Sequence, residues 1–292
     1  MFGLNRLRSR KEQQPSEETC RSRVLGASRT DVGRVRSVNE DSVYFQNATD
    51  NGSGRSSSAL ALVADGLGGA QGGSVASTMV TQIVSQDFHG GTASPPKVLR
   101  KALESANREI FRKAQREKDL AGMASTCVAL ALAPPFAWAA WVGDSRLYLI
   151  RDRQIFQMTE DHSVVQEMVR RGLLSSEQAA DHEERNLVTR SLGSQRKVEV
   201  AVWDQPFPIR SEDRFLLSTD GLHDSLTSPE LLEIASCVRL DTACEHLIEA
   251  ANSRGGHDNI SAVLLEVSDS RRVAAAEPPP TREFRITREV NS

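Results

Sequence analysis

The chain has 292 residues, of which 39% are hydrophobic and 26% are charged, and its formal net charge is −3. This composition is typical of a globular protein with a sizeable core. The balanced charge excludes a general nucleic-acid binder, which needs a dominant basic field, so no nucleic-acid partner is expected. No apolar run reaches the roughly 18 residues that span a membrane, so no membrane span is expected.

The two ends of the chain and its cysteines predict its organisation and its compartment. Residues 1–23 are polar, charged and aperiodic, which predicts a disordered N-terminal tail. Residues 269–292 contain three consecutive prolines and predict a flexible C-terminal tail. We expect residues 24–268 to form one domain. The N-terminus lacks the apolar segment of a signal peptide and the four cysteines form no CxxC pair, so we expect a cytoplasmic protein.

Short apolar runs of the buried-strand type alternate with segments of helical periodicity in the body of the chain. The predicted strands are 58–64, 126–133, 136–143, 146–151, 214–218 and 260–267. The predicted helices begin at Ser74, Ser94, Ser228 and Asp241. Ser94 is a preferred N-cap residue followed by two prolines, and Pro134 with Pro135 predicts a hairpin turn. Strands outnumber crossover helices, which favours an antiparallel α+β sandwich over a parallel α/β sheet.

The stretch ALALVADGLGGAQGG, residues 59–73, admits three interpretations. A strand, a glycine loop and a helix resemble a dinucleotide site, but Gln71 occupies the third glycine position of the G-x-G-x-x-G fingerprint. Asp65-Gly66, taken alone, is a common pair in hairpin turns. The third interpretation is an acidic corner that holds a metal ion. The other acidic residues of the chain bear on this choice.

Acidic residues recur at strand ends in five separate places. They are Glu40 with Asp41, Asp65, Asp144, Asp220 and Asp258. If the strand ends converge, these carboxylates need a cation, because their repulsion would cost several kcal/mol or force protonation. Carboxylate and carbonyl oxygens suit Mg²⁺ or Mn²⁺ and not Zn²⁺. A two-metal site that activates water on a phosphoryl group would use this many acids, and Arg36 offers a planar fork for the phosphate.

At these residues the chain resembles the metal-dependent serine/threonine protein phosphatases of the PPM (type 2C) family, in its short bacterial branch. Eight motifs match in the family's order and span nearly the whole body of the chain. They are "DVGRVRSVNEDS" (31–42), "VADGLGG" (63–69), "GMASTCVAL" (122–130), "VGDSRLYLI" (142–150), "TEDHS" (159–163), "LVTRSLG" (187–193), "LLSTDGL" (216–222) and "DNISAVLLE" (258–266). Each motif alone is weak, whereas eight in order are specific.

The resemblance implies a four-layer αββα sandwich of two antiparallel sheets flanked by helices. It implies direct attack by a metal-bridging water on phosphoserine or phosphothreonine, without a phosphoenzyme. The implied cofactors are two Mn²⁺ or Mg²⁺ ions, with a weaker third. The implied partners are phosphorylated proteins and a cognate bacterial serine/threonine kinase, which the phosphatase would oppose.

The resemblance also assigns roles to single residues. The implied ligands are Asp65 on both ions, Asp220 and Asp258 on the first ion, Glu40 or Asp41 with the Gly66 carbonyl on the second, and Asp144 on the third. Arg36 would bind the substrate phosphate, so that Asp65, Asp220, Asp258 and Arg36 form the catalytic set. Asn259 would orient Asp258 from behind. Residues 163–190 would form the variable flap beside the site.

Two departures from the family concern the general acid. Leu67 and Ala70 stand where relatives often keep histidines. A water on the metal or His257 could protonate the leaving group instead, although a solvent-facing loop residue is the simpler interpretation of His257. We expect His162 to be structural. The missing histidines leave open a second hypothesis, a catalytically weak module of the same fold that binds phosphoproteins or a kinase.

Overall fold

The computed structural model describes residues 23–48, 58–68, 71–180, 182–237 and 239–268, and of Ala180 its backbone alone. Residues 1–22 and 269–292, on which the two predicted tails fall, lie outside the described residues, and so does Ala70. Arg23, the last residue of the predicted N-terminal tail, opens the first strand. Within the described ranges, no helix is long and apolar enough to cross a membrane.

The described residues form thirteen strands and seven α-helices. The strands are β1 (Arg23–Asp31), β2 (Ser42–Gln46), β3 (Ala59–Ala64), β4 (Gly66–Leu67), β5 (Ala124–Ser125), β6 (Cys127–Ala133), β7 (Phe136–Val142), β8 (Arg146–Arg151), β9 (Gln154–Gln157), β10 (Ala201–Val202), β11 (Phe207–Pro208), β12 (Arg214–Ser218) and β13 (Ile260–Ser268). The helices are α1 (Gly72–Gly90), α2 (Pro95–Arg116), α3 (Val164–Arg170), α4 (Ser176–Ala180), α5 (Asp220–His223), α6 (Ser228–Ala235) and α7 (Leu240–Ser253).

Two antiparallel sheets carry the fold. The first has five strands in the order β1-β13-β12-β8-β9. The second has the order β10-β7-β6-β3-β2, with β11 also paired to β7. The short strands β4 and β5 pair with each other beside the second sheet's helices. Because neighbouring strands are antiparallel, the start of one strand lies beside the end of the next. Residues that precede one strand and follow its neighbour are therefore brought together.

Three apolar clusters separate four layers. One cluster fills the space between α1, α2 and the second sheet. Another lies between the two sheets. The last lies between the first sheet and the helices α5, α6 and α7. The fold is therefore the expected four-layer αββα sandwich, with helices outside two antiparallel sheets.

The sequence of β3 explains why both faces of the second sheet are buried. Its six residues, ALALVA, are all buried. Leu60 and Leu62 point to the helical layer, whereas Ala61 and Val63 point to the other sheet. Alternate side chains face opposite sides of a strand, so a strand covered on both sides carries apolar residues throughout. Each fully buried leucine contributes about 1.5–3 kcal/mol.

The starts of three helices differ from the sequence prediction. Helix α1 begins at Gly72 rather than Ser74 and α7 at Leu240 rather than Asp241, and neither has a side-chain cap. Ser94 is the N-cap residue of α2, with prolines in the first turn, although its hydroxyl makes no capping bond. For α6 the cap is Thr227 rather than Ser228, because Thr227 and Glu230 form a capping box. The proline that follows Ser228 then falls in the first turn, where its missing N–H costs no hydrogen bond.

Candidate metal centre

The acidic residues predicted as ligands share one end of the sandwich. In the second sheet, the start of β2 lies beside the end of β3, and the start of β6 lies beside the end of β7. In the first sheet, the end of β12 lies between the starts of β8 and β13. The residues that precede or follow these strand ends form what we call the acidic cluster. Its members are Glu40, Asp41, Asp65, Asp144, Asp220 and Asp258.

Asp65 lies in the middle of the acidic cluster. Burial raises the pKa of its carboxyl well above 3.8, and the charges of Asp220, Asp41, Asp144 and Asp258 raise it further. Asp220 and Asp258 stand at strand ends of the first sheet, Asp41 at a strand end of the second, and Asp144 in the turn that joins β7 of the second sheet to β8 of the first. Asp65, at the end of β3 in the second sheet, therefore lies where both sheets bring their acids together.

Three further carboxyls of the acidic cluster also have raised pKa values. Burial, the largest cause in each case, and neighbouring acids raise the pKa of Asp41 to about 7, of Asp144 to about 8 and of Asp220 to about 6. Like charges oppose each other's ionisation, so the cluster cannot ionise fully at neutral pH without a cost. A bound cation would invert these shifts, because it stabilises the ionised forms.

Asp41 gives one carboxylate oxygen to the protein and keeps the other unpaired. Its Oδ2 accepts hydrogen bonds from the hydroxyls of Thr219 at 2.9 Å and Ser261 at 2.7 Å. Its Oδ1 is buried and has no hydrogen-bond partner among the described residues. Leaving such an oxygen unsatisfied costs about 1–3 kcal/mol. A cation or an ordered water beside Oδ1 would remove that cost.

Two glycines let a carbonyl and a carboxylate approach each other. A Cβ on Gly73 would stand 2.5 Å from Glu40 Oε1 and 2.7 Å from the Gly66 carbonyl oxygen. A Cβ on Gly66 would stand 2.1 Å from the Gly73 carbonyl oxygen. Larger residues at either position would therefore push these oxygens apart. Burial raises the pKa of Glu40, and the charge of Arg36 opposes that rise.

Hydroxyl groups fix the backbone at Asp65. Its N–H donates to Thr126 Oγ1 at 3.0 Å, and its carbonyl accepts from the Thr126 N–H at 2.8 Å and the Ser125 hydroxyl at 2.9 Å. Thr126 Oγ1 also lies 2.7 Å from the hydroxyl of Ser145, the residue after Asp144. The hydroxyl of Thr126 thus links the strand ends that carry Asp65 and Asp144.

Arg36 stands at the rim of the acidic cluster. Its Nη2 donates to Asp258 Oδ2 at 2.8 Å, and both side chains are partly exposed. Hydrogen bonding to Asp258 is the largest cause of the raised pKa of Arg36, and the charges of Glu40 and Asp65 add to it. A guanidinium has five N–H donors, so this single bond leaves others for an anionic ligand.

Asn259 acts differently from what the sequence suggested. The bond to Asp258 Oδ1 comes from the backbone N–H of Asn259, at 2.8 Å. Its side chain instead holds the loop that precedes β2. The amide oxygen accepts from the Glu40 N–H at 2.8 Å, and the amide nitrogen donates to the carbonyls of Val32 at 2.9 Å and Val38 at 3.0 Å. Asn259 therefore positions Glu40 through the backbone.

The candidate proton donors are placed as follows. Nδ1 of His162 accepts from the Gly143 N–H at 3.1 Å, and burial lowers the pKa of the ring to about 4. A neutral ring in this bond is structural, as expected. His257 is an exposed loop residue next to Asp258. Leu67, in β4, has no proton to give.

The sequence analysis did not identify the ion pair between Arg146 and Asp161, which lies close to Asp144. The Nε of Arg146 donates to Asp161 Oδ1 at 3.1 Å and to Oδ2 at 3.0 Å, and its Nη2 donates to Oδ2 at 2.7 Å. The charges of Asp161 and Arg146 act in opposite directions on the pKa of Asp144. Asp224, in the same region, has a raised pKa because of burial. The motifs "GDSR" and "TEDHS" contained both partners, but their pairing depends on the register of β8.

The donor set fits hard divalent cations. It offers carboxylate oxygens, a backbone carbonyl and one buried oxygen without a partner, which are the ligand types of Mg²⁺ and Mn²⁺. In the part of the chain that the structure describes, no three His, Cys, Asp or Glu side chains stand as a preformed metal cage.

Comparisons with known proteins agree with this geometry. The family model "Protein phosphatase 2C" matches residues 33–264. The "Serine/threonine phosphatase stp" of Listeria monocytogenes is 39% identical over 244 residues, which is 82% of this chain and 94% of the relative. The crystal structure of the Mycobacterium tuberculosis serine/threonine phosphatase PstP/Ppp aligns with a TM-score of 0.75 and 33% identity, over 84% of this chain and 99% of the other.

A further solved structure is the PstP catalytic domain in complex with two manganese ions. It aligns with a TM-score of 0.73 and 31% identity, over 85% of this chain and 100% of that domain. The chain therefore belongs to the protein phosphatase 2C family, and the family and fold predicted from the motifs are confirmed. At the level of the family, the predicted enzyme class of protein serine/threonine phosphatases is confirmed as well.

Proposed function

We propose that this chain is a metal-dependent protein phosphatase that hydrolyses phosphoserine and phosphothreonine in proteins. The observation that carries the proposal is the position of Asp65, whose carboxyl is influenced by four other carboxyls from separate strand ends. A cluster of six carboxyls in which only Asp258 pairs with an arginine among the described residues is suited to divalent metal ions. The two manganese ions described for the similar PstP domain support the same cofactor here.

The proposed ligands follow the positions of the oxygens. Asp65 would be shared by two Mn²⁺ or Mg²⁺ ions. The remaining ligands would be Asp220 and Asp258 on the first ion, Glu40 or Asp41 with the Gly66 carbonyl on the second, and Asp144 on a weaker third. Bound divalent ions lower the pKa of water and neutralise charge that develops on a phosphoryl group. The orphaned Oδ1 of Asp41 supports a role for Asp41 close to an ion.

The chain's own residues would bind and orient the substrate. Arg36 would hold the phosphate through the guanidinium donors that its bond to Asp258 leaves free. Asn259 would keep Glu40 in place through the loop before β2. Because His162 is neutral and bonded, it would take no part in proton transfer. Protonation of the leaving group would fall to water or to His257, which is exposed beside Asp258.

Residues 163–190 would be the substrate-sensing flap. This segment contains α3 and α4, and its two ends meet where the Val164 N–H donates to the Leu187 carbonyl at 2.9 Å. Arg185 in the segment lies 3.9 Å from Asp224. The segment therefore closes on itself and reaches the neighbourhood of the acidic cluster.

The biological setting is also a proposal. Phosphoproteins would be the substrates, and a serine/threonine kinase would be the enzyme whose action is reversed. The chain would act in the cytoplasm as one domain over residues 24–268, with tails on either side. Its cysteines support a reducing compartment, since Cys127 and Cys244 are free and buried.

The test is the exchange of Asp65 for asparagine. Asp65→Asn should reduce Mn²⁺-dependent hydrolysis of a phosphothreonine peptide by at least about a thousandfold, as expected when a group that organises the transition state is removed. Asp87→Asn, a change at an exposed position on α1, is the matched control and should keep full activity. Circular dichroism should show the same fold in both variants. Full activity of Asp65→Asn, or of the wild type in EDTA, would contradict the proposal.

The alternative is a regulatory module of the same fold that binds phosphoproteins or a kinase without turnover. The absence of a histidine at position 67 favours it. Calorimetry with Mn²⁺, followed by an assay with an aryl phosphate, separates the two. Metal binding with turnover supports the phosphatase, and metal binding without turnover supports the module.

A further inference from the structure

The loop between β1 and β2 carries five consecutive exposed residues, 34–38, next to the acidic cluster. Arg36, the proposed phosphate ligand, is the middle one. The loop has the sequence RVRSV, so two valines and a second arginine surround Arg36. We call this segment the 34–38 loop.

Both ends of the 34–38 loop are fixed to the core. The Arg34 N–H donates to the Gly256 carbonyl at 2.7 Å, and Asn259 Nδ2 donates to the Val38 carbonyl at 3.0 Å. Gly33 has φ = +81°, and a Cβ there would stand 2.2 Å from the Asp258 carbonyl oxygen. The backbone is therefore ordered before any ligand arrives, which lowers the entropic cost of binding.

The side chains of the 34–38 loop are available for contacts. Val35 is 64% exposed and Val38 is 46% exposed. The Arg34 guanidinium makes no hydrogen bond or ion pair within the described part of the chain. Isolated exposed valines are ordinary on a protein surface. Here, however, an unpaired cation and two apolar side chains flank a phosphate ligand on an anchored backbone.

We propose that the 34–38 loop recognises the polypeptide around the phosphorylated residue, and that the preferred substrates carry an acidic side chain and an aliphatic side chain beside it. The acidic side chain would pair with Arg34, and the aliphatic one would cover Val35 and Val38. Extended residues advance about 3.3–3.6 Å each, so Arg34 lies within roughly 7 Å of Arg36 along the chain. The acidic residue therefore stands one to three positions from the phosphorylated one. This inference rests on the proposed phosphatase function.

The experiment compares three substrates under Mn²⁺. They are a phosphothreonine peptide with glutamate and leucine beside the phosphothreonine, the same peptide with lysine and serine there, and an aryl phosphate. The quantity measured is the ratio of kcat/KM for the acidic peptide to kcat/KM for the basic peptide. For the wild type we expect a ratio of roughly five to ten, the size of one exposed charge pair with a small apolar contact. A ratio near one overturns the inference.

Variants assign the preference to the loop. Arg34→Glu should bring the ratio below one by slowing the acidic peptide and accelerating the basic one, a gain that damage to the fold cannot produce. Val35→Ser with Val38→Ser should lower the ratio roughly threefold, mainly through KM. An unchanged ratio in both variants overturns the inference.

Matched controls lie at the other end of the sandwich. Phe136 is 39% exposed and opens β7, about 20 Å from the end that leads to Asp144. Arg153 is an exposed residue in the turn after β8. Phe136→Ser and Arg153→Glu should keep the wild-type ratio, and a shift equal to that of the loop variants overturns the inference. Failure of the wild type on all three substrates would instead contradict the proposed phosphatase function.

Discussion

The two ends of the sandwich both bury acids, but they treat the charges differently. At the end opposite to the acidic cluster, buried Asp213 accepts two bonds from Arg151, at 2.7 and 2.6 Å, and one from the Arg210 N–H at 2.6 Å. Arg214 binds Glu266 at 2.7 Å in the same region. Every carboxylate named there has a cation beside it.

Within the described residues, Asp258 is the one member of the acidic cluster in an ion pair, with Arg36. Among the described residues, Asp65 forms no ion pair, and neither do Asp41, Asp144 and Asp220. The arginines nearest to them are committed elsewhere, Arg36 to Asp258 and Arg146 to Asp161. Burial alone therefore does not distinguish a structural acid from a functional one. The distinction lies in whether the protein supplies the counter-charge or leaves it to a ligand.

The largest expected effect is on the stability of the metal-free protein. In EDTA, the free energy of unfolding should fall by several kcal/mol as the pH rises from about 4 to about 8. The pKa values of Asp41 and Asp144 are raised from 3.8 to about 7 and about 8. The folded state thus holds protons that the unfolded chain has released, so unfolding releases protons and stability falls with rising pH.

Urea unfolding at a series of pH values measures this slope. Asp65→Asn should flatten it, because the substitution removes a titrating group whose pKa burial and the charge of Asp220 raise. Saturating Mn²⁺ at pH 8 should restore stability to the wild type and not to Asp65→Asn. A metal-free stability that is constant or rises over this range would show that the cluster is not strained.

The second-largest expected effect is a loss of stability at the end of the sandwich opposite to the acidic cluster. Arg151→Met removes the cation from buried Asp213 and should cost about 3–5 kcal/mol of unfolding free energy, as expected for an uncompensated buried charge. The loss should be equal in EDTA and in Mn²⁺, because no metal ligand is involved. Adding Asp213→Asn to this variant should recover part of the stability. A loss below about 1 kcal/mol would mean that water reaches Asp213 and that the two ends differ less than their contacts indicate.

Elements with a strong local sequence signal were predicted well, whereas elements that depend on pairing with distant strands were not. The strand ALALVA and helix α2 were predicted closely, because an apolar run covered on both faces and a Ser-Pro-Pro start are local signals. Strand β1 was not predicted, because its burial alternates irregularly and its partner strand β13 lies more than 200 residues away in sequence. The two-residue strands β10 and β11 exist only through their pairing with β7.

In the site, too, residues with a local sequence signal were predicted and residues that act through long-range contacts were not. Asp65 and the other acids were predicted as ligands because each follows or precedes an apolar run at a recurring position. The side-chain role of Asn259 was not found, because its amide binds backbone groups of Val32, Val38 and Glu40, which are more than 200 residues away in sequence. Thr219, Ser261 and Thr126 were also missed. Hydroxyl residues are common at strand ends, and only the folded geometry shows which carboxylate they hold.

The smallest effect tests the hydroxyls that hold Asp41. Thr219→Val and Ser261→Ala each remove one donor to Asp41 Oδ2 and leave the orphaned Oδ1 less well positioned. Because a hydrogen bond to a charged group contributes about 1.5–3 kcal/mol, each variant should weaken Mn²⁺ binding by roughly tenfold in a calorimetric titration. Ser85→Ala, at a buried hydroxyl on α1 that donates to the Gln82 carbonyl and makes no bond to Asp41, should leave the affinity unchanged. Equal affinity in all three variants would mean that Asp41 is held by burial alone. A selective loss in the first two would show that the protein, which gives Asp41 no counter-charge of its own, nevertheless fixes the direction from which that counter-charge must come.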